Sequence, residues 1–95
     1  MTGHVSDVWA KTTDLRVVSG HGCRVVDVDG VEYLDFTPGI AAASTGHSHP
    51  RVVQAISEQA ARFVHAQQNV YTHDLLEPLA ERLDEITPPQ IDTFF

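Results

Sequence analysis

The chain has 95 residues and a mass of 10.4 kDa, which allows one small domain at most. Hydrophobic residues make up 42% and charged residues 20%, as in typical globular proteins, so neither disorder nor a membrane span is expected. Six lysines and arginines against thirteen acidic residues give a net charge of −7, which repels nucleic acid and acidic membrane surfaces. We therefore expect neither as a partner.

The cysteine content and the opening residues predict a cytoplasmic protein. Cys23 is the single cysteine, so no intrachain disulfide can form, which suits a reducing compartment. Residues 1–14 form an N-terminal segment that opens with polar and acidic side chains. This segment shows no basic stretch followed by an apolar run, as a secretory signal would have.

Residues 15–36 predict an antiparallel meander of three β-strands. A short run rich in β-branched residues at positions 15–18 precedes Ser-Gly-His-Gly at positions 19–22, which is a turn signature that ends the first strand. Two further apolar runs flank residues 27–30, Asp-Val-Asp-Gly. Aspartate at the first and glycine at the fourth position are typical of a type I turn, so these two runs form a hairpin.

Charge decides between two registers for this hairpin. If only the last two turn residues formed the loop, Asp27 would face Glu32 across the strands, and like charges in that arrangement are destabilising. A type I turn followed by a left-handed glycine instead places Asp27 opposite Val31. We therefore predict that Val25 pairs with Tyr33 on one face of the sheet.

Small and apolar residues fill most of the next segment, a loop over residues 37–49. Such residues make a weak helix or strand, and they allow the backbone to approach another element or a ligand closely. Composition alone leaves both explanations open, with tight packing as the simpler one.

Two amphipathic helices are predicted over residues 50–90. The first begins with Pro50, which suits the first helical position, and its apolar residues recur at three- and four-residue steps as far as about His65. The second has the same apolar spacing, with Asp74 as its candidate N-cap and a glutamate three residues later. Thr-Pro-Pro at residues 87–89 ends it.

Residues 91–95 read as the start of a strand, because they are largely apolar and end in two phenylalanines. An exposed strand edge with large apolar side chains is unusual at a natural C-terminus, which is commonly polar and frayed. We therefore expect that the chain is truncated at this point.

His47 and His49 form the most prominent polar cluster. Two histidines at i and i+2 on an extended segment can bind one metal ion from the same face. A metal site needs a third or fourth ligand, and the sequence does not identify one. The alternative is a structural role, in which both histidines make hydrogen bonds at the N-terminus of the helix that Pro50 begins.

Four motifs then follow one another in a specific order. They are G-x-G at residues 20–22, D-x-D-G-x-x-Y-L-D-F at 27–36, G-I-A at 39–41 and G-H-x-H-P at 46–50. In this combination the sequence resembles the N-terminal part of class III pyridoxal-phosphate aminotransferases. That family includes ornithine, acetylornithine and 4-aminobutyrate aminotransferases, and the related glutamate-1-semialdehyde aminomutase shares much of the pattern.

The resemblance implies a fold class, a cofactor and an assembly. The fold is α/β of the fold type I kind, of which only the N-terminal part is expected here: a β-meander, two amphipathic helices and, at residues 91–95, the truncated first strand of the large domain. The cofactor implied is pyridoxal 5′-phosphate, held by residues that would follow Phe95. The resemblance also implies a homodimer that moves an amino group between an amine or amino acid and a 2-oxo acid.

Individual site residues follow from the same resemblance. Lys11 is the only lysine and does not match the family's Schiff-base lysine, so no catalytic or cofactor-binding residue is expected here and the isolated chain should be inactive. Ile40 matches a position that lines the substrate pocket, where ornithine-type enzymes have tyrosine, and an apolar wall favours 4-aminobutyrate or a similar amine. Tyr71 matches a segment that can reach the active site, or it is a loop aromatic. The alternative from another class is a small β/α module that binds a metal or partner through His47 and His49.

Overall fold

The computed structural model describes residues 3–95. Three strands precede two helices: β1 (Val17–His21), β2 (Arg24–Asp27), β3 (Glu32–Leu34), α1 (Pro50–Arg62) and α2 (Leu76–Ile86). The chain divides into a first unit, Met1–Ile56, and a second unit, Ser57–Phe95. Of the predicted N-terminal segment, residues 1–2 lie outside the described part, and residues 3–14 form neither helix nor strand.

The three strands form the predicted antiparallel sheet in the order β1-β2-β3. The register of the β2–β3 hairpin is the predicted one, with Val25 paired with Tyr33. The N–H of Asp27 donates to the Val31 carbonyl at 3.0 Å, and the N–H of Gly30 donates to the Asp27 carbonyl at 3.0 Å. Gly30 has φ 79°, a left-handed conformation that costs glycine little, so the turn type is confirmed as well.

The carboxylate of Asp27 holds this turn together. Its two oxygens accept hydrogen bonds from the N–H groups of Asp29 and Val31, both at 2.9 Å, and from the Tyr33 hydroxyl at 3.1 Å. These donors, led by the Val31 N–H, lower the pKa of Asp27 despite the burial of its side chain. The same contact raises the pKa of Tyr33, because the phenol proton is shared with a carboxylate.

The first strand differs from its prediction. Ser-Gly-His at positions 19–21 was expected in a turn, but these residues belong to β1, and the turn consists of residues 22–23, with His21 paired with Arg24. Gly20 lies within the strand, paired with Val25, and a side chain there would have no room: a Cβ atom would lie 2.8 Å from Cγ of His47. The glycine therefore marks a close approach and not a turn.

The loop predicted at residues 37–49 is irregular, as expected, and its far end is tied back to the sheet. The N–H of His47 donates to the Gly22 carbonyl at 2.8 Å, and the N–H of Gly22 donates to the His47 carbonyl at 3.0 Å. This two-bond bridge brings the end of the loop beside the turn between β1 and β2. Of the small residues of the loop, Gly46 makes a close backbone approach, since a Cβ atom there would lie 3.2 Å from the Gly22 backbone.

The first helix begins at Pro50 as predicted but ends at Arg62, short of the predicted His65. The N–H of Phe63 makes the last helical bond, to the Gln59 carbonyl at 3.0 Å. The side-chain amide of Gln59 then donates to the Phe63 carbonyl at 3.2 Å, which occupies the group that a further turn would have used. This bond satisfies one of the carbonyls that a helix end leaves without an intrahelical partner.

The second helix begins at Leu76, and its N-cap is Leu75, which makes no side-chain cap hydrogen bond. The predicted N-cap, Asp74, is wrong because it lies one residue too early. His73 instead satisfies the first donors: its Nδ1 accepts from the Leu75 N–H at 3.3 Å and its carbonyl accepts from the Leu76 N–H at 3.4 Å.

The predicted end of the second helix is confirmed. The helix ends at Ile86, and both the N–H and the hydroxyl of Thr87 donate to the Leu83 carbonyl, at 3.0 Å and 2.9 Å. Residues 91–95 pair with no other segment of the described chain. A strand needs a neighbour to bond with, so the strand expected there stays a prediction.

Within the described residues, no hydrophobic side chain is buried. The apolar stripes of both helices exist as predicted, but they are largely uncovered: Ile56 on α1 is 63% exposed and Leu79 on α2 is 61% exposed. Neither helix, nor any other in residues 3–95, has the length and apolarity to cross a bilayer.

Candidate functional site

A cleft of about 260 Å³ lies in the first unit, between the β1–β2 turn, the end of β3 and the small-residue loop. Its lining combines backbone and small side chains with one acid, one histidine and one cysteine: Gly22, Cys23, Asp35, Phe36, Pro38, Ala43, Ser44, Gly46 and His47. The sheet positions the first of these residues, and the bridge between Gly22 and His47 positions the last.

An acid–histidine pair forms the polar centre of this cleft. Oδ2 of Asp35 lies 2.6 Å from Nε2 of His47, and the two side chains are only 13% and 29% exposed. The other carboxylate oxygen accepts from the backbone N–H of Thr37 at 2.8 Å and from its hydroxyl. These contacts lower the pKa of Asp35 to about 2, with the Thr37 hydroxyl as the largest cause and the His47 ring next.

The Asp35 and His47 side chains can support only a few kinds of chemistry. Because Asp35 stays ionised at neutral pH, it fixes one ring nitrogen of His47 and orients the imidazole. Lys11, the only lysine of the sequence, is exposed and is not part of the cleft lining. The cleft therefore offers an oriented imidazole and a fixed negative charge, without an amine nucleophile.

These residues do not by themselves fit pyridoxal phosphate. A phosphate dianion needs cationic side chains or a set of free backbone N–H groups, and the lining contains neither lysine nor arginine. The ionised carboxylate of Asp35 would repel the phosphate. We therefore derive no chemical step through the cofactor from this cleft.

The two predicted substrate-pocket residues lie in different units. Ile40 is in the first unit, fully exposed and with φ 55°, and it does not line the cleft. Tyr71 is in the second unit, 61% exposed, and its N–H donates to the Gln67 carbonyl at 2.9 Å. Their roles in substrate binding stay predictions.

The two histidines of the metal hypothesis have separate roles. His49 lies directly before α1, and its Nδ1 accepts from the Arg51 N–H at 3.3 Å, as the structural alternative predicted. His47 was expected at the same helix terminus, but this is wrong, because its ring is held by Asp35. Among residues 3–95, no three histidine, cysteine or acidic side chains come together in a group that could hold a metal ion.

The pair of Asp35 and His47 was not predicted from the sequence. Asp-Phe-Thr at residues 35–37 has the spacing of an aspartate that accepts from the backbone two residues later, and this signal could have been used. The histidine lies twelve residues away, and no local pattern links it to the acid.

The aminotransferase class-III family model matches residues 5–95. The chain belongs to this family. The order of the four motifs had predicted it, and the confirmed resemblance brings with it the family's fold.

Class III relatives from several organisms share this stretch. The acetylornithine aminotransferase of Bacillus cereus is 39% identical over 85 residues, which cover 90% of this chain and 22% of that enzyme. The probable 4-aminobutyrate aminotransferase of Bacillus subtilis is 39% identical over 71 residues, which cover 75% of this chain and 16% of that enzyme. The chain thus spans about a fifth of the length of the curated relatives it matches.

Solved class III structures have the same local fold. The ornithine aminotransferase of Toxoplasma gondii superposes with a TM-score of 0.78 at 32% identity, over 87% of this chain and 19% of that one. A second structure of the T. gondii enzyme has pyridoxal phosphate in partial occupancy at its active site. The sheet and helices described above are therefore elements of the aminotransferase fold.

Proposed function

We propose that this chain is the N-terminal part of a pyridoxal-phosphate-dependent aminotransferase that moves an amino group between an amine or amino acid and a 2-oxo acid. The match of the family model over residues 5–95 carries the proposal. The likeness to the T. gondii ornithine aminotransferase supports it, because the backbone follows the same path through the strands and helices.

For the amino donor we propose a small aliphatic molecule that carries a terminal primary amine. N-acetylornithine is the first candidate, because the relatives from Bacillus cereus and Streptomyces coelicolor, 39% and 47% identical, are acetylornithine aminotransferases. 4-Aminobutyrate is the second candidate. It is supported by Ile40 through the resemblance, because an apolar side chain without a hydroxyl donor at the matched position would suit this amine.

The test is an assay of the complete natural chain that carries these residues, with pyridoxal phosphate and 2-oxoglutarate. We expect transfer of the amino group from N-acetylornithine, from 4-aminobutyrate or from both. Replacing Ile40→Tyr should change the ratio of kcat/KM for the two donors, by about tenfold if the side chain touches the substrate. Absence of transfer from any primary amine in the unaltered protein would contradict the proposed function.

Residues 1–95 alone should not catalyse the reaction. Lys11 is exposed and lies outside the cleft, so the cleft neither desolvates its amine nor activates it as a nucleophile. We expect only weak imine absorbance with pyridoxal phosphate, equal to that of a free surface lysine, and no turnover. The variant Lys11→Ala is the control: a loss of turnover in this variant would assign catalysis to Lys11.

A cytoplasmic homodimer is also part of the proposal. The uncovered apolar stripes of both helices need a cover, which the rest of the complete chain or a second subunit would supply. The single, exposed cysteine, Cys23, is compatible with a reducing compartment. Light scattering on the complete chain and cell fractionation test the two points separately.

A further inference from the structure

Residues 36–46 form an arch whose two ends are held by neighbouring residues. At the first end, the N–H of Asp35 donates to the Cys23 carbonyl at 2.7 Å. At the second end, the backbone of His47 makes two hydrogen bonds with Gly22. The side chains of Asp35 and His47 then meet across the gap at 2.6 Å, so the pair closes the base of the arch.

Between these ends the arch has only local bonds and carries strain near its tip. Its backbone hydrogen bonds join residues of the arch itself, as in the bond from the Ala43 N–H to the Pro38 carbonyl at 2.9 Å. Ile40 and Ala41 have φ values of 55° and 68°, a left-handed conformation that β-branched residues strongly disfavour. The Ile40 side chain is fully exposed and gains no packing that offsets this.

A strained conformation persists only where its surroundings over-determine it. For the arch, the anchoring contacts lie at its base, and each is supported by neighbouring residues. Gly20 has no side chain where the His47 ring lies, and Thr37 gives the Asp35 carboxylate a backbone and a hydroxyl donor. The anchors therefore hold the base while Ile40 projects from the tip.

We propose that Asp35 and His47 are positioning residues that clamp the arch and hold Ile40 at a fixed place against the amino donor. The proposal rests on the proposed function for the role of Ile40. It assigns no chemical step to either residue, since the pair acts through the backbone of the arch.

The first test measures the arch itself, by elastase cleavage after the alanines at positions 41–43 in the complete natural chain. We expect Asp35→Ala and His47→Ala to be cut at least about fivefold faster than the unaltered protein, because local opening sets the rate. The conservative His47→Gln, which keeps a donor for the carboxylate, should be cut more slowly than His47→Ala. The matched controls Asp7→Ala and His21→Ala should be cut at the rate of the unaltered protein.

The second test measures transamination in the same proteins. If the clamp positions Ile40, KM for the amino donor rises about tenfold while kcat stays within about twofold, a split that general loss of structure does not produce. Unchanged cleavage and unchanged KM in both alanine variants overturn the clamp, as does a fall in kcat at constant KM. An inactive unaltered protein contradicts the proposed function, whereas the cleavage rates still test the clamp.

A third measurement needs no variant and decides the matter if the alanine variants do not fold. Hydrogen exchange in the unaltered protein should show slow exchange at the N–H groups of Gly22, Asp35 and His47, which make the anchoring bonds. Exchange at these three positions as fast as in the exposed N-terminal segment overturns the clamp.

Discussion

At the residue scale, the charge of Asp35 depends on three neighbouring donors. The Thr37 hydroxyl, the His47 ring and the Thr37 N–H, in order of size, hold its pKa at about 2, below the usual value of 3.8. A depressed pKa means that these contacts stabilise the fold fully above about pH 4, and that this stabilisation is lost as the pH falls toward 2.

We predict that Thr37→Val raises the pKa of Asp35 more than His47→Ala does, because the hydroxyl is the larger cause. The pH dependence of the side-chain carboxyl resonance in carbon-13 NMR measures both. If the two variants and the unaltered protein titrate at the same pH, the hydrogen bonds described for Asp35 are not formed in solution.

Asp27 is a second acid whose carboxylate is held by hydrogen bonds from neighbouring residues. Asp27→Asn should raise the rate of hydrogen exchange at the Val31 N–H about tenfold, because a neutral amide accepts more weakly than a carboxylate. The same change should lower the pKa of Tyr33 toward its usual value. The matched control, Asp29→Asn, should have a smaller effect on both, and equal effects would contradict the assigned role of Asp27.

These two acids also show how far sequence reasoning extends at this scale. Asp27 could be placed correctly, because its role is local: an aspartate at the first turn position meets donors within four residues. The pairing of Asp35 with His47 could not, because it depends on how the chain returns to the sheet twelve residues later. Ile40 was singled out by resemblance alone, and no physical pattern in the sequence predicts its left-handed backbone.

At the scale of elements, the interior of β1 is where a small change has a large effect. A Cβ at position 20 would lie 2.8 Å and 2.9 Å from two carbons of His47 and 3.3 Å from the Arg24 carbonyl. We predict that Gly20→Ala lowers the free energy of unfolding of the complete chain by about 1–3 kcal/mol, as overpacking does. Urea unfolding measures it, with Gly3→Ala in open space as the control; equal stability of both variants contradicts the close approach.

Element types were easier to predict than element limits. The hairpin register followed from charge repulsion between two facing acids, and both helices followed from their apolar spacing. The ends carry side-chain hydrogen bonds that the spacing does not reveal: Gln59 donates to the Phe63 carbonyl after the first helix, and His73 takes the place expected for Asp74 at the second. Likewise β1 continues through Gly20, which pairs with Val25, and the glycine leaves room for the ring of His47.

At the scale of the whole molecule, the described residues bury no hydrophobic side chain, and Trp9 is 81% exposed. We predict that residues 1–95 alone bind the dye ANS, melt without a cooperative transition and show tryptophan fluorescence close to that of the free amino acid. A sharp, reversible melt of a monomer with a blue-shifted tryptophan spectrum contradicts this. The complete natural chain, which should lack these properties, is the control.

The bridge between Gly22 and His47 also has a kinetic consequence. Closing a loop over residues 23–46 costs about 3 kcal/mol of chain entropy when that segment is still unstructured. The β2–β3 hairpin lies inside the segment and shortens the free length that has to be closed, so it should form first. Contacts at the bridge then form late in folding. Substitutions that remove them should therefore raise the unfolding rate and leave the folding rate nearly unchanged.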